Sequence, residues 1–179
     1  MLKSSYHSRF REIELIGRGN FGSATLVQDL SDLKIYVAKK IVLNNLKEKE
    51  QQSSLLEAKL LRDLKHPHIV SYRDSFIDEG ILIIIMEYCE EGDLAFHIKR
   101  KRQKNEFFSE KLILNWFLQI ALALNLVHEK RILHRDIKTS NIFLNSNGIV
   151  KLGDFGISKL LENTNDAAGT VVGTPYYMR

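Results

Sequence analysis

The chain has 179 residues, 44% of them hydrophobic, and 26 basic against 22 acidic side chains give a mild formal charge of +4. This composition predicts a globular protein with one sizeable core. The single cysteine, Cys89, excludes an internal disulfide framework, and residues 1–9 lack the apolar stretch of a secretion signal. The longest apolar run, 81–86, is far below the roughly 20 residues that cross a bilayer. We therefore expect a cytoplasmic protein with no membrane partner.

The first half of the chain is predicted to be rich in strands. Apolar residues alternate with polar ones, or run together, in five short segments. The predicted strands lie at 12–16, 24–27, 35–42, 69–76 and 81–86. One helix interrupts them at 47–64, where leucines recur at helical spacing until His66-Pro67 stops it.

From Asp93 onward the pattern becomes helical. Ser109 is the predicted N-cap of a long amphipathic helix whose apolar residues have the spacing of a core face. They are Leu112, Ile113, Trp116, Phe117, Ile120, Leu124 and Val127. The basic run at 99–104 is interpreted as a solvated helix end. No aromatic residues interleave with it, so we expect no nucleic acid partner.

These two halves predict an α+β fold in two lobes. We place a short tail at residues 1–9, a strand-rich lobe at 10–90 and a helical lobe at 91–179.

The segment Ile16-Gly17-Arg18-Gly19-Asn20-Phe21-Gly22 contains the spacing G-x-G-x-x-G. Dinucleotide-binding folds and phosphate-covering hairpins share this motif, and a structural hairpin turn fits it equally well. In a dinucleotide fold the glycines open a helix, whereas residues 23–27 continue here as a predicted strand. The context predicts a phosphate-covering hairpin and argues against a dinucleotide-dependent oxidoreductase.

Two further segments, His134-Arg135-Asp136-Ile137-Lys138-Thr139-Ser140-Asn141 and Asp154-Phe155-Gly156, together resemble the signature of protein kinases. Phosphoryl transfer asks a protein for positioning and charge neutralisation more than for covalent chemistry. Asp136 is expected to accept the hydrogen bond of the acceptor hydroxyl, and Lys138 to reach the transferred phosphoryl group. Asn141 and Asp154 are expected to hold Mg²⁺. The resemblance implies a bilobal kinase fold that uses ATP and Mg²⁺.

Protein kinases aim a lysine of the third strand at the α- and β-phosphates. The run Tyr36-Val37-Ala38-Lys39-Lys40-Ile41 offers two candidates, which strand alternation puts on opposite faces. We favour Lys39, because that register leaves Ala38 and Ile41 at apolar positions and makes Lys40 a surface charge. Lys40 remains the alternative.

The resemblance implies roles for the rest of the nucleotide site. Glu57, in the predicted helix, would pair with the lysine, and residues 16–22 would cover the phosphates. Ala24 and Met86 would border the adenine, and the backbone from Glu87 to Cys89 would bind the edge of the base. Ala24 stands where many kinases carry valine, which thins this packing.

In more detail the chain resembles the never-in-mitosis-A related (Nek) serine/threonine kinases. Three segments carry this resemblance, namely 64–70 (LKHPHIV), 86–94 (MEYCEEGDL) and 172–178 (VGTPYYM). Residues 22–26 (GSATL) and 132–139 (ILHRDIKT) lean toward its Nek8- and Nek9-like members.

The resemblance implies transfer of the ATP γ-phosphoryl group to serine or threonine hydroxyls of protein substrates. Lys138 agrees with this, since tyrosine kinases usually place alanine or arginine nearby. Thr170 stands where these kinases carry an activating phosphosite, and Arg135 is placed to pair with a phosphate there. Some members associate with the cytoskeleton or centrosome.

Members of the family continue after Tyr-Met with Ser-Pro-Glu and several more helices, whereas this sequence ends at Met178-Arg179. We therefore expect a complete strand-rich lobe, an incomplete helical lobe and a truncated catalytic domain. The alternative is a catalytically inactive nucleotide-binding or regulatory kinase fragment. The intact set of phosphoryl-transfer residues favours the first interpretation.

Overall fold

A computed structural model of the chain describes residues 5–19, 22–155 and 159–160. Its helices are α1 (Ser5–Arg9), α2 (Glu48–Asp63), α3 (Leu94–Gln103) and α4 (Glu110–Glu129). Its strands are β1 (Phe10–Gly19), β2 (Gly22–Asp29), β3 (Ile35–Val42), β4 (Tyr72–Asp78), β5 (Ile81–Glu87), β6 (Ile132–Leu133), β7 (Ile142–Leu144), β8 (Val150–Leu152) and β9 (Lys159–Leu160). The chain divides into two compact units, Met1–Asp63 with Ser71–Tyr88 and Leu64–Val70 with Cys89–Arg179. The expected α+β fold is confirmed.

The first unit is built on an antiparallel five-stranded sheet in the order β1-β2-β3-β5-β4. Strand β5 buries four consecutive residues, 82–85, as expected for an apolar run in a sheet interior. Helix α2 buries Leu60 and Leu61, two of the leucines expected at helical spacing, whereas Leu55 is 41% exposed.

The predicted strand at 69–76 begins later than expected, because β4 starts at Tyr72. Val70 instead donates its N–H to the carbonyl of Leu152, and Leu152 donates to the carbonyl of His68. Ile69 and Val70 are buried in the second unit beside β8. Their apolar character therefore reflects burial there and not membership of the sheet.

The region interpreted as a tail contains a short helix, α1, that packs on the sheet. Tyr6 is fully buried in a core cluster with Phe10, Val27, Ala38, Ile83 and Ile85. The rings of Phe10 and Phe76 lie 5.7 and 5.9 Å from that of Tyr6. This helix escaped notice because five residues are too short for a periodic pattern.

Helices α3 and α4 of the second unit begin at side-chain caps. The carboxylate of Asp93 accepts the N–H of Phe96 at 2.7 Å. Ser109 accepts the N–H of Leu112 at 3.3 Å, at the N-cap expected from the sequence. Such caps satisfy N–H groups that have no partner within the helix.

Helix α4 is apolar around most of its circumference. Trp116, Ala123 and Val127 are buried, whereas Phe117 is 67% and Ile113 51% exposed. The expectation that Ile113 and Phe117 belong to the core face is wrong for the described residues, since spacing alone cannot tell which side of a widely apolar helix is covered. By length and composition alone α4 could also cross a membrane, a weak signal that core helices of soluble proteins share.

Candidate active site

Two side chains converge on the carboxylate of Asp136. Lys138 Nζ lies 2.6 Å from Asp136 Oδ2, and Asn141 Nδ2 donates to the same oxygen at 2.9 Å. Asn141 Nδ2 also donates to the backbone carbonyl of Asp136 at 2.8 Å. A 3₁₀ turn, Thr139–Asn141, folds the chain back so that the three residues meet. The structure thus brings together three of the residues selected from the sequence and fixes the orientation of the carboxylate.

The β7–β8 hairpin brings the segment of Asp154 to the same place. Ile142 pairs with Leu152 in antiparallel register, so Asn141 and Gly153 lie at one end of the hairpin. The N–H of Gly153 donates to the carbonyl of Asn141 at 3.0 Å. A side chain at Gly153 would press on the ring of Phe143 at 2.9 Å. Asp154, which is exposed, follows directly.

His134 ties the two segments together from below the surface. Its ring is buried, Nδ1 accepts the N–H of Asp136 at 3.3 Å, and Nε2 lies 3.0 Å from the carbonyl of Gly153. Burial lowers the pKa of His134. The ring is therefore neutral at pH 7, and since Nδ1 accepts, Nε2 carries the hydrogen and donates to Gly153. The ring of Phe155, fully buried, lies 4.6 Å away.

The backbone on either side of this cluster is held in an unfavourable conformation. Arg135 has φ +65° and Asp154 has φ +56°. In this left-handed region the backbone conformation of a residue other than glycine costs about 1 kcal/mol or more. Arg135 precedes Asp136, and Asp154 is the candidate metal ligand. Such strain persists only where surrounding contacts impose it, and here the hydrogen bonds of His134 and Gly153 do so.

The glycine-rich segment forms the β1–β2 hairpin of the first unit. Pairing continues to Gly19 opposite Gly22, and β2 follows as a strand, which supports the distinction from a dinucleotide fold. A side chain at Gly22 would overlap the carbonyl oxygen of Lys40, so close approach of β2 and β3 requires glycine. Ile16 is partly exposed in β1 and Arg18 pairs with Ser23. Asn20 and Phe21 lie outside the described residues.

The register of β3 places Lys39 and Lys40 on different faces of the sheet. Lys39 stands opposite Ala24, which in turn stands opposite Gly17 of the hairpin. Met86 faces the same side, because it pairs with Val37, two residues from Lys39. The predicted residues Gly17, Ala24, Lys39 and Met86 thus share one face.

Lys40 lies on the face that carries α1. Its Nζ is 2.6 Å from Glu12 Oε1 and 5.7 Å from the centre of the Tyr6 ring. The Lys40 side chain is only 21% exposed. Lys40 lies away from the face of Lys39, as expected from the sequence, but it is partly buried and paired with Glu12.

For the other predicted site residues the structure gives only the position in the chain or the backbone contacts, or does not describe the residue. Glu57 lies within α2, but its side chain falls outside the description. Glu87 ends β5 in the first unit, where its N–H donates to the carbonyl of Ser71 at 2.9 Å. Cys89, in the second unit, is buried and accepts the N–H of Gly92 at 3.1 Å. Thr170 lies outside the described residues.

The donor set fits Mg²⁺. Both hydrogen bonds from Asn141 use its amide nitrogen, so its amide oxygen points away from Asp136. Oxygen ligands suit Mg²⁺, which takes one or two protein ligands and keeps waters and substrate phosphates. In the described part of the chain, no three His, Cys, Asp or Glu residues cluster as in an all-protein metal cage. Asn141 and Asp154 match the open type of site.

Comparison with known proteins agrees with this geometry. Residues 10–179 match the family described as "Protein kinase domain". The chain is 48% identical to serine/threonine-protein kinase Nek1 of Mus musculus over 95% of its own length and 14% of that protein. It is 48% identical to Nek4 of Mus musculus, covering 93% of the chain and 21% of Nek4. The chain therefore spans less than a quarter of either relative.

A third relative bears on the expected resemblance to Nek9-like members. Serine/threonine-protein kinase Nek9 of Mus musculus is 43% identical over 93% of the chain and 17% of its own length. This identity is below the 48% to Nek1 and Nek4, so these values do not favour Nek9.

Proposed function

This chain belongs to the protein kinase domain family, and from that premise we propose that, when extended through the rest of a kinase domain, it transfers the γ-phosphoryl group of ATP to serine or threonine hydroxyls of protein substrates. One observation carries the proposal, namely the convergence of Lys138 and Asn141 on one carboxylate oxygen of Asp136. A carboxylate fixed in this way is suited to orient an acceptor hydroxyl.

Asp136 accepts the hydrogen bond of the acceptor hydroxyl and takes its proton as the oxygen attacks the γ-phosphorus, while the bond from that phosphorus to the β–γ bridging oxygen breaks and ADP leaves. Lys138, whose ammonium is held at 2.6 Å from that carboxylate, reaches the transferred phosphoryl group. The neutral His134 carries no charge to the reaction. It keeps Asp136 and the segment before Asp154 in place.

On the nucleotide side, Lys39 would contact the α- and β-phosphates and Glu57 would hold Lys39 by an ion pair. Residues 16–22 would cover the phosphates. Ala24 and Met86, which share the face of Lys39, would border the adenine, and the backbone of Glu87 and Cys89 would bind its edge. Asn141 and Asp154 would hold Mg²⁺, which when bound neutralises charge on the β- and γ-phosphates.

Regulation and location complete the proposal. Phosphorylation of Thr170 activates the kinase, and Arg135, next to the catalytic aspartate, pairs with the phosphate. We place the protein in the cytoplasm, including its cytoskeleton and centrosome, with neither nucleic acid nor membrane among its partners. The relatives that guide this proposal are named as serine/threonine-protein kinases.

A second candidate function is that of an inactive nucleotide-binding or regulatory fragment. The observation that favours it is the exposed apolar side of α4, where Phe117 is 67% and Leu114 58% exposed. An exposed apolar surface of this kind marks a site that binds a partner, which suits a regulatory fragment.

The test is phosphoryl transfer from radiolabelled ATP to a generic protein substrate. Residues 1–179 are compared with a chimaera that extends them by the part of mouse Nek1 following its matched segment. The chimaera should produce phosphoserine and phosphothreonine, and chelation of Mg²⁺ should stop the reaction. A folded chimaera that labels only tyrosine, or nothing, contradicts the proposal. Nucleotide binding by residues 1–179 without transfer supports the second candidate for that fragment.

A further inference from the structure

Helix α1 is attached to the sheet more firmly than a terminal segment of five residues would suggest. It lies ahead of the residues that match the kinase family, 10–179. Tyr6 is fully buried against the aromatic rings of the core cluster. Arg9, at the end of the helix, donates to the buried Asp29 at 2.8 Å and to Asp74 at 2.8 Å. Terminal residues are ordinarily mobile unless contacts of this kind hold them.

The hydroxyl of Tyr6 and the ammonium of Lys40 meet at one oxygen. Tyr6 donates to Glu12 Oε1 at 3.1 Å, and Lys40 Nζ lies 2.6 Å from the same atom. Burial, reinforced by the charge of Glu12, raises the pKa of Tyr6, so the hydroxyl remains a donor. Because β2 lies between β1 and β3, the Lys40 side chain reaches across one strand to make this contact.

This contact bears on which lysine faces the nucleotide. A slip of one residue in strand pairing moves every side chain to the opposite face. In β3 a slip in one direction would put Lys39 in the buried position of Ala38, and a slip in the other would put Lys40 in the buried position of Ile41. Burial of these two positions therefore opposes the slip. A contact that only Lys40 makes, on the opposite face from Lys39, opposes it further.

We infer that Tyr6 and Glu12 form a clamp on Lys40 that reinforces the register of β3 and thereby helps to keep Lys39 on the face of Ala24 and Met86. They are positioning residues, because they act on Lys39 only through β3. The inference rests on the proposed function for the role of Lys39, but the clamp itself concerns the sheet and can be tested without catalysis.

The first experiment uses the chimaera with mouse Nek1 in its nucleotide-free form. Glu12→Gln and Tyr6→Phe each remove one contact while keeping side-chain size, and Glu14→Gln is the matched control on an exposed residue of β1. Hydrogen exchange of peptides spanning β3 should rise about fivefold in Glu12→Gln, and less in Tyr6→Phe. Acetylation of Lys40, read by mass spectrometry, should rise by a similar factor. Glu14→Gln should change neither.

The second experiment adds Mg·ADP and compares acetylation of Lys39 in the same proteins. Mg·ADP should protect Lys39 in the wild type and in Glu14→Gln, and protection should weaken in Glu12→Gln. Lys40→Arg, which keeps the ion pair, should retain protection, whereas Lys40→Met should lose part of it. A merely structural role would alter stability without separating these two variants.

Three results in Glu12→Gln would each contradict the clamp. Hydrogen exchange in β3 is unchanged, acetylation of Lys40 is unchanged, or Mg·ADP still protects Lys39 fully although exchange and Lys40 acetylation have risen. Protection of Lys40 in place of Lys39 overturns the register as well. If Mg·ADP protects neither lysine in the wild type, the nucleotide site of the proposed function fails. In that case the exchange data still decide whether the clamp exists.

Discussion

The loop from His134 to Asn141 and strand β3 hold their key side chains in different ways. Asp136 is fixed by Lys138 and Asn141, two and five residues away in the chain. Lys40 is held by Glu12, 28 residues away and on β1, a strand that does not pair with β3 in the sheet. A local cluster depends on one turn, whereas the placement of the two lysines depends on the whole sheet. Variants that disturb distant residues should therefore affect β3 more than the loop.

The largest effect should separate the two lysines of β3. In the chimaera, Lys39→Met should lower kcat/KM by about 10³-fold, because it removes a charge that acts on the phosphates. Lys40→Met should cost about fivefold, since it disturbs only the position of β3. Phosphoryl-transfer assays on both variants give the answer. An active Lys39→Met beside a dead Lys40→Met would show that the register is reversed.

The next effect should separate the two sides of α4. Trp116→Ala should lower the free energy of unfolding by about 3 kcal/mol, because removal of the buried indole ring leaves a cavity. Phe117→Gln, one position along, should change it by less than about 0.5 kcal/mol. Urea unfolding of both variants measures the difference, and equal losses would contradict the burial of one side only.

The exposed side of α4 also predicts the behaviour of the isolated chain. Residues 1–179 alone should be poorly soluble and have no measurable kinase activity, because several large apolar side chains face solvent. Phe117→Gln combined with Leu114→Gln should raise solubility. A monomeric, active wild-type fragment would count against this prediction.

Asp29 tests the dependence of the first unit on distant contacts. Its side chain is fully buried and bridges Arg9 and Arg73. Asp29→Asn should cost about 2 kcal/mol of unfolding free energy, because two guanidinium groups lose their shared charge partner. Chemical unfolding at pH 7 checks this, with Asp63→Asn on the exposed end of α2 as the control.

The same residue predicts a pH dependence. Burial by itself raises the pKa of Asp29, but hydrogen bonds from Arg9 and Ser31 outweigh it and hold the pKa well below its ordinary value. The ionised form is thus favoured in the folded state. Its stabilisation should be complete above the unfolded pKa of about 3.9 and be lost as pH falls further. Thermal melting from pH 6 to pH 2 should show a smaller loss in Asp29→Asn than in the wild type.

The effect on activity should be smaller at Thr170 than at Lys39. Thr170→Ala should lower the activity of the chimaera about tenfold, because the proposed phosphate could no longer pair with Arg135. Phosphopeptide mapping should find Thr170 modified in active preparations. Full activity of Thr170→Ala would contradict the proposed role of Thr170.

The same contrast explains what the sequence could predict. The residues from His134 to Asp154 stand close together in the chain, so a motif with fixed spacing located most of the local cluster. The role of His134 was not predicted, because the sequence shows its place two residues before Asp136 but not that its ring faces the carbonyl of Gly153.

Features that depend on distant contacts were predicted less well. Alternation placed Lys39 and Lys40 on opposite faces but could not show that Lys40 forms an ion pair with Glu12. Spacing identified α4 but not which of Trp116 and Phe117 is covered. Helix α1 gave no signal, because its stability comes from packing of Tyr6 on residues up to 79 positions later in the chain.

The most direct test of the central claim, that a fixed Asp136 carboxylate orients the acceptor hydroxyl, is the kinetics of Asp136→Asn in the chimaera. Asparagine keeps the size of the side chain but cannot accept the proton. The account predicts that kcat falls about 10²- to 10⁴-fold while KM for ATP stays within about twofold. An unchanged kcat, or a loss confined to KM for ATP, would contradict it.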